Sequence, residues 1–432
     1  MRVSIKAWLN RIFGKEISQF VGGSLVATLG SLLSGFLGYL YHLFMGRMLG
    51  PSDYGILASL LSLLYIFSVP TGTFSLVVTK FSADLGKSRQ FFQKTEKKTI
   101  WFSLLFLLLF IALTPAILSF LHLGAFVPVF LIGLCLAIGL LVTFEGAILQ
   151  GRLNFVPLAV GGTMGTAIKL LLGIIFVYFG LGINGAVLPM VLMAIFSYFY
   201  FQYFLRKKEA IVPKGNLSSK KLTNKEIWDY AQPIFFFTLS FALLYSVDVI
   251  FARHFLTPQE AGWYGSLSTL GKIIYFLISP LSLVLFPMAS GKKSKQENSH
   301  RLFKFSFSAA IFIALFLTLA YFSFPNLILG ALYGSQFLPA SRFLGLFGVF
   351  LSFYSLAYFL GNFMLSQEKT KVAAFFPLLA LLLQVILILF FHQSILAILK
   401  ASIFTCGLLF FSFLVYYLIN RKDLQLNNIN GS

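Results

Sequence analysis

The sequence predicts an all-α integral membrane protein of about twelve transmembrane helices, from its composition, its recurring apolar runs and the placement of its positive charges. The chain has 432 residues, 58% hydrophobic and only 11% charged, with a mean hydropathy of +0.89. A water-soluble chain of this length needs far more polar surface to cover its cores. Apolar runs recur throughout, each near the ~20 residues a helix needs to cross ~30 Å of hydrocarbon.

Residues 1–19 carry Arg2, Lys6, Arg11 and Lys15 among Ile5, Trp8, Leu9, Ile12 and Phe13. The apolar set repeats at helical spacing, which predicts an amphipathic helix on the cytoplasmic leaflet. The first long run, Phe20 to Met45, exceeds a signal-peptide core and is followed by no cleavage pattern, so it is expected to stay as the first span. Twelve spans are expected near 20–46, 54–79, 99–121, 126–150, 154–178, 182–205, 229–252, 261–288, 303–330, 339–365, 372–393 and 395–419. The polar stretch 206–228 is the longest and parts them into an N-terminal six-helix lobe (20–205) and a C-terminal one (229–419), with a tail over 420–432.

Positive charge tests this placement independently. With the N-terminus inside, 27 of the 33 Lys and Arg fall on the cytoplasmic side. Only Arg47, Arg253, Arg342 and Lys400 fall outside, and Lys169 and Lys272 lie within spans. Such asymmetry is what orients membrane helices, so both termini are expected in the cytoplasm. The same reading disposes of the net charge of +20, which in a soluble chain would suggest nucleic acid. Here the cations serve orientation and contact with anionic lipids, and no nucleic-acid partner is expected.

The two halves carry a short parallel repeat. Pro51-Ser52-Asp53-Tyr54-Gly55 follows span 1 and Arg47, with Ser59-Leu60 behind it. Pro258-Gln259-Glu260-Ala261-Gly262 follows span 7 and Arg253, with Ser266-Leu267 at the same distance. Pro suits a helix entry, and the acid favours the positive end of the helix dipole. Both copies run inside to outside, so the repeat axis lies along the membrane normal. Gly50 precedes the first copy. Arg47, Gly50, Pro51, Asp53 and Gly55, with Arg253, Pro258, Glu260 and Gly262, are therefore expected to shape turns rather than bind substrate.

Several chemistries are excluded. No outer loop exceeds about a dozen residues, leaving no wet catalytic surface of the kind that membrane glycosyltransferases and polymerases use. Gly265 with Gly271-Lys272 has the wrong spacing for a phosphate-binding loop and lies in an apolar helix. Cys135 and Cys406 fall inside apolar runs, so neither a disulfide nor a metal site is indicated. No enzyme, cofactor or ATPase module is expected.

Ionisable groups inside spans are costly and commonly mark function. Lys169 in span 5 and Lys272 in span 8 are deep, and are expected to face a cavity. Glu145 and Asp248 stand close enough to a span end to be either functional or ordinary helix-end groups. His42, Asn362 and Gln384 are expected to make helix–helix contacts, and Gly161 and Gly165 a small-residue packing face.

GRMLGPSDYGILASL (46–60) resembles the signature of the oligosaccharide flippase, or polysaccharide transporter, family of bacteria and archaea. SVDVIFARHFLTPQEAGWYGSLSTLGKIIYFLISPLSLVLFP (246–287) is similar to the start of that family's second lobe, and LYGSQFLPASRFLGLF (332–347) with GNFMLSQEKTK (361–371) to its span 9–10 region. The resemblance implies the multidrug/oligosaccharidyl-lipid/polysaccharide exporter fold, two six-helix lobes around a central cavity. It also implies transport of polyprenyl-pyrophosphate-linked oligosaccharides from the inner to the outer leaflet of the cell membrane, for capsule, O-antigen or exopolysaccharide synthesis. The basic residues of spans 5 and 8 match positions where members often carry cavity cations. A polysaccharide polymerase and glycosyltransferases are the partners implied. Peptidoglycan-precursor flippases of the superfamily normally have two further spans. A multidrug or cation antiporter is the alternative, but acidic residues deep in spans 1–3, which it would need, are lacking. A membrane enzyme of polysaccharide assembly is disfavoured by the missing catalytic loop.

Overall fold

A computed structural model describes residues 5–84, 89–209, 224–289, 296–367 and 369–420. Most of the expected linker (210–223) and the tail beyond Asn420 lie outside them, as do residues 1–4 of the N-terminal segment. Among the described residues there is no strand, and the chain is helical almost throughout. The elements are α1 (Ile5–Asp84), α2 (Arg89–Phe120), α3 (Phe126–Gly151), α4 (Phe155–Tyr178), α5 (Gly182–Glu209), α6 (Asn224–Leu244) and α7 (Val247–Phe255). There follow α8 (Pro258–Ala289), α9 (Gln296–Ser323), α10 (Pro325–Tyr333), a 3-10 segment (Ser335–Phe343), α11 (Leu344–Ser366), α12 (Thr370–Phe390) and α13 (Ile395–Ile419).

Ten helices among the described residues are long and apolar enough to cross a membrane. One of them, Val26–Ser75, has 50 residues. At 1.5 Å per residue that is about 75 Å, more than twice the ~30 Å hydrocarbon core. Gly50 stands inside it at φ +74. A right-handed helix cannot run straight through that conformation, so α1 supplies two crossings that meet at this glycine. The expected spans 20–46 and 54–79 are its two arms. Helix α8 is 32 residues long but carries Gly265, Ser266, Ser268, Thr269, Gly271 and Lys272, which lower its apolar character. With α8 and both arms of α1 counted, the chain is a multi-pass membrane protein of about twelve spans.

Three expected spans are broken where continuous helices were expected. Span 7 divides at Tyr245-Ser246 into α6 and α7. Span 9 ends at Ser323, and Pro325 opens the separate helix α10. The proline has no N–H to give and a fixed φ, so it starts a helix better than it continues one. Span 10 begins as the 3-10 segment with Pro339 inside it, and becomes α-helical at Leu344.

The chain forms two compact units, one of Met1–Met48 with Pro70–Ile227, the other of Leu49–Val69 with Trp228–Ser432. In the first, α4 packs on α5 through the expected small-residue face. A Cβ on Gly161 would meet the Phe201 ring at 2.5 Å, and one on Gly165 would meet Ser197 Oγ at 2.9 Å. In the second, α11 is apolar on every side and buries Phe347, Phe350, Tyr354 and Phe359 almost completely, as a helix inside a bundle does. Helices α2 and α9 behave oppositely, exposing Trp101, Phe102, Leu105 and Leu108, and Phe305, Phe312, Leu315 and Phe316. Apolar faces this extensive suit lipid, not water.

Candidate functional site

The interrupted helix in the second unit brings several buried polar groups together, among them Ser246, Asp248, Gln384 and Ser402. Breaking a helix frees backbone carbonyls, each costly in an apolar interior unless a donor replaces the lost partner. At Tyr245-Ser246 that donor is Gln384 of α12. Its Nε2 donates to Leu244 O at 3.1 Å and to Ser402 Oγ of α13 at 3.0 Å. Ser402 in turn donates to Ile398 O at 3.1 Å. Gln384 thus makes the helix–helix contact expected of it, and also holds open a break that sequence reasoning did not find. Gln384→Leu keeps the volume and removes the donor. We expect it to destabilise the protein by about 1–3 kcal/mol, the cost of a stranded buried carbonyl. Thermal unfolding in detergent reads this out, and an unchanged midpoint would place the support of the break elsewhere.

The break positions Asp248 in the first turn of α7, where the helix dipole favours a carboxylate. Its Oδ2 accepts from Tyr264 OH at 2.9 Å. The side chain is 0% exposed, so it is a core group and not the helix-end residue that its sequence position also allowed. Lys272, two turns beyond Tyr264 on α8, is 9% exposed and feels the charge of Asp248. Its Nζ lies 4.8 Å from the centroid of the Tyr245 ring and 5.7 Å from that of Tyr65. Ring faces stabilise a cation by up to about 2 kcal/mol where water is excluded. Tyr245 packs on Tyr275 at 5.9 Å and on Tyr354 at 5.5 Å, which fixes the ring beneath the ammonium.

The two copies of the repeat meet in this same unit. A Cβ on Gly55 would lie 2.8 Å from Gly262 N, and one on Gly262 would lie 1.7 Å from Pro51 O. One turn further, a Cβ on Gly265 would meet the Ala58 Cβ at 2.6 Å. Segment 49–69 and α8 therefore cross backbone to backbone, and glycine is what the crossing requires. Tyr54 OH then reaches Thr269 Oγ1 and Tyr333 OH, both at 3.1 Å. At the entry of α8, Glu260 Oε2 accepts from Thr257 N at 3.2 Å and from Thr257 Oγ1 at 2.8 Å, while Thr257 Oγ1 accepts from Glu260 N at 3.3 Å. This reciprocal cap fixes the helix start at Pro258. Arg253 is buried and feels Asp53.

In the first unit, Lys169 of α4 is half-buried with Nζ 4.4 Å above the Tyr41 ring of α1. Tyr41 is fully buried and donates its hydroxyl hydrogen to Ala186 O at 2.7 Å. Gly173, one turn beyond Lys169, would place a Cβ 3.0 Å from that ring, so the ring edge fills the glycine's space. Arg47 is exposed. Glu145 of α3 is 2% exposed, again a core group. Each deep lysine thus rests on tyrosine, a pairing not visible in the spacing of either sequence region.

A family model described as polysaccharide biosynthesis protein matches residues 44–342. An uncharacterised membrane protein of Methanocaldococcus jannaschii is 23% identical over 396 residues, which cover 84% of this chain and 89% of that one. Among solved structures, an inward-facing multidrug resistance MATE family transporter of the MOP superfamily aligns with a TM-score of 0.70 at 14% identity, over 91% of this chain and 96% of its own. The lipid II flippase MurJ, in an inward closed conformation, aligns with a TM-score of 0.69 at 14% identity, over 94% of this chain and 91% of its own. At these identities the likeness is one of fold.

Proposed function

Because the chain belongs to the polysaccharide biosynthesis protein family, we propose that it is a flippase which carries polyprenyl-pyrophosphate-linked oligosaccharides from the cytoplasmic to the outer leaflet by alternating access. The fold is one used by transporters, including a lipid-linked precursor flippase. The observation that carries the substrate assignment is Lys272, a cation kept 9% exposed on tyrosine rings. The glycan cannot enter hydrocarbon, whereas the polyprenyl tail can remain in it. The pyrophosphate, with about two negative charges, is the part most costly to desolvate, and a lysine facing it offsets that cost by Coulomb attraction at low dielectric. Lys169 gives the first unit a cation of the same kind. A lysine suits the task because it is a mobile point charge and not a rigid fork. Asp248 would hold Lys272 until substrate arrives.

On this reading the protein works in the cell membrane beside a polysaccharide polymerase and glycosyltransferases, and its basic segments lie against anionic lipid. The multidrug reading draws on the fold shared with MATE transporters, while the family match favours the glycan. Translocation of a lipid-linked oligosaccharide by the purified protein in vesicles, beside a cationic dye as rival cargo, decides between them.

A further inference from the structure

Glu145 lies in the first unit, on the helix before that of Lys169. It is 2% exposed, and its chain neighbour Phe144 belongs to an apolar cluster with Val78, Ala147 and Ile148, packed by Phe74 and Leu205. Its Oε2 has no hydrogen-bond partner. A carboxylate with a stranded oxygen in such a place is costly unless something neutralises it. The charged groups that act on it are Glu96 of α2 and Arg206 of α5, the latter exposed; Tyr198 of α5 also faces it. Glu96 is a like charge and makes an ionised Glu145 costlier still.

Gln202 of α5 joins these groups. Its Nε2 donates to Glu96 Oε1 at 3.0 Å and to Tyr198 OH at 2.8 Å. Glu145 is within hydrogen-bond reach of the same side chain. An amide nitrogen has two hydrogens, and Glu96 and Tyr198 take both. Glu145 Oε2 is the acceptor left without a donor. A carboxyl bearing its own hydrogen removes the conflict, since it can donate to the Gln202 carbonyl, and it also removes the like-charge repulsion.

We propose that Glu145 and Glu96 share one exchangeable proton across Gln202, forming a proton site in the first unit. The O–H bond on Glu145 breaks as one forms on Glu96, the less buried of the two, which passes the proton to water. The positive charges flanking this end of spans 3, 4 and 6 assign that water to the cytoplasm. That the proton drives transport rests on the flippase reading; that the site exists does not.

The test is infrared titration of the purified protein in lipid, with no substrate added. The wild type should show a protonated-carboxyl stretch that vanishes as pH rises. Glu145→Gln should abolish that band, Glu96→Gln should keep it at an altered frequency because its hydrogen-bond partner has changed, and Asp248→Asn should leave it untouched. A wild type without a titrating carboxyl band overturns the proposal, as does an identical band in Glu145→Gln. If Glu145→Gln does not reach the membrane, Glu145→Asp carries the test, and an unmoved band again refutes the shared proton. Because no glycan enters the measurement, failure of the flippase reading leaves the result interpretable. A positive infrared result without any proton-driven glycan movement would overturn the coupling and retain the site.

Discussion

Lys272→Ala is expected to abolish glycan export per molecule of protein present in the membrane. The ammonium rests on Tyr245 and Tyr65 in a place from which most water is excluded. At an effective dielectric near 20, a unit charge about 4 Å from a phosphate oxygen contributes about 4 kcal/mol. Losing even half of that slows a step that depends on it by more than about tenfold. Asp248 keeps the hydroxyl of Tyr264 and the start of α7, but without the lysine its buried charge is uncompensated, so some stability is lost along with export. Lys272→Arg should restore part of the activity, since it keeps charge but not shape. Lys169→Ala should behave alike, and Asp248→Asn more mildly. Quantifying cell-surface polysaccharide against immunodetected protein tests all four. Full export by both alanine variants would mean that the pyrophosphate is recognised elsewhere.

Gly262→Ala should fail for a different reason. Its new methyl would lie 1.7 Å from Pro51 O and 2.4 Å from Pro51 C, both backbone atoms that no rotamer can move aside. Overpacking of a tight core costs about 1–3 kcal/mol even where side chains can yield, and here the crossing of segment 49–69 with α8 must open. Membrane abundance should fall severalfold, with activity falling in proportion. Gly55→Ala, 2.8 Å from Gly262 N, should do the same less severely. Gly35→Ala, which meets nothing within 4 Å, is the control and should be neutral. Normal abundance of Gly262→Ala with complete loss of transport would instead assign the turn a direct part in moving substrate.

These two expectations also mark what the sequence could and could not disclose. The number and order of spans were legible because length and charge asymmetry are one-dimensional signals, read without knowing any contact. The repeat Pro51–Gly55 and Pro258–Gly262 was legible as a pattern. Its meaning was not, since two glycines 207 positions apart reveal nothing of a 2.8 Å approach. Lys169 and Lys272 announced themselves by being charged in apolar runs, but their tyrosine platforms come from Tyr41, Tyr65 and Tyr245, which look like ordinary span residues. The break at Tyr245-Ser246 left no trace because neither Gly nor Pro marks it; Gln384, polar in an otherwise apolar span, was the one available hint. Asp248 and Glu145 looked close to span ends, and only packing put them in the core.

On the flippase reading, this chain turns a lipid-linked glycan across the bilayer. The most direct measurement reconstitutes the purified protein in vesicles with a fluorescent polyprenyl-pyrophosphate oligosaccharide in one leaflet, and follows its arrival in the other by accessibility to a membrane-impermeant quencher. Wild-type protein should equilibrate the lipid between leaflets, with Lys272→Ala as slow as protein-free vesicles and a cationic dye left unmoved. Movement of the dye, with the glycan lipid confined to its starting leaflet, would overturn the flippase reading and make the chain a multidrug transporter on the same fold.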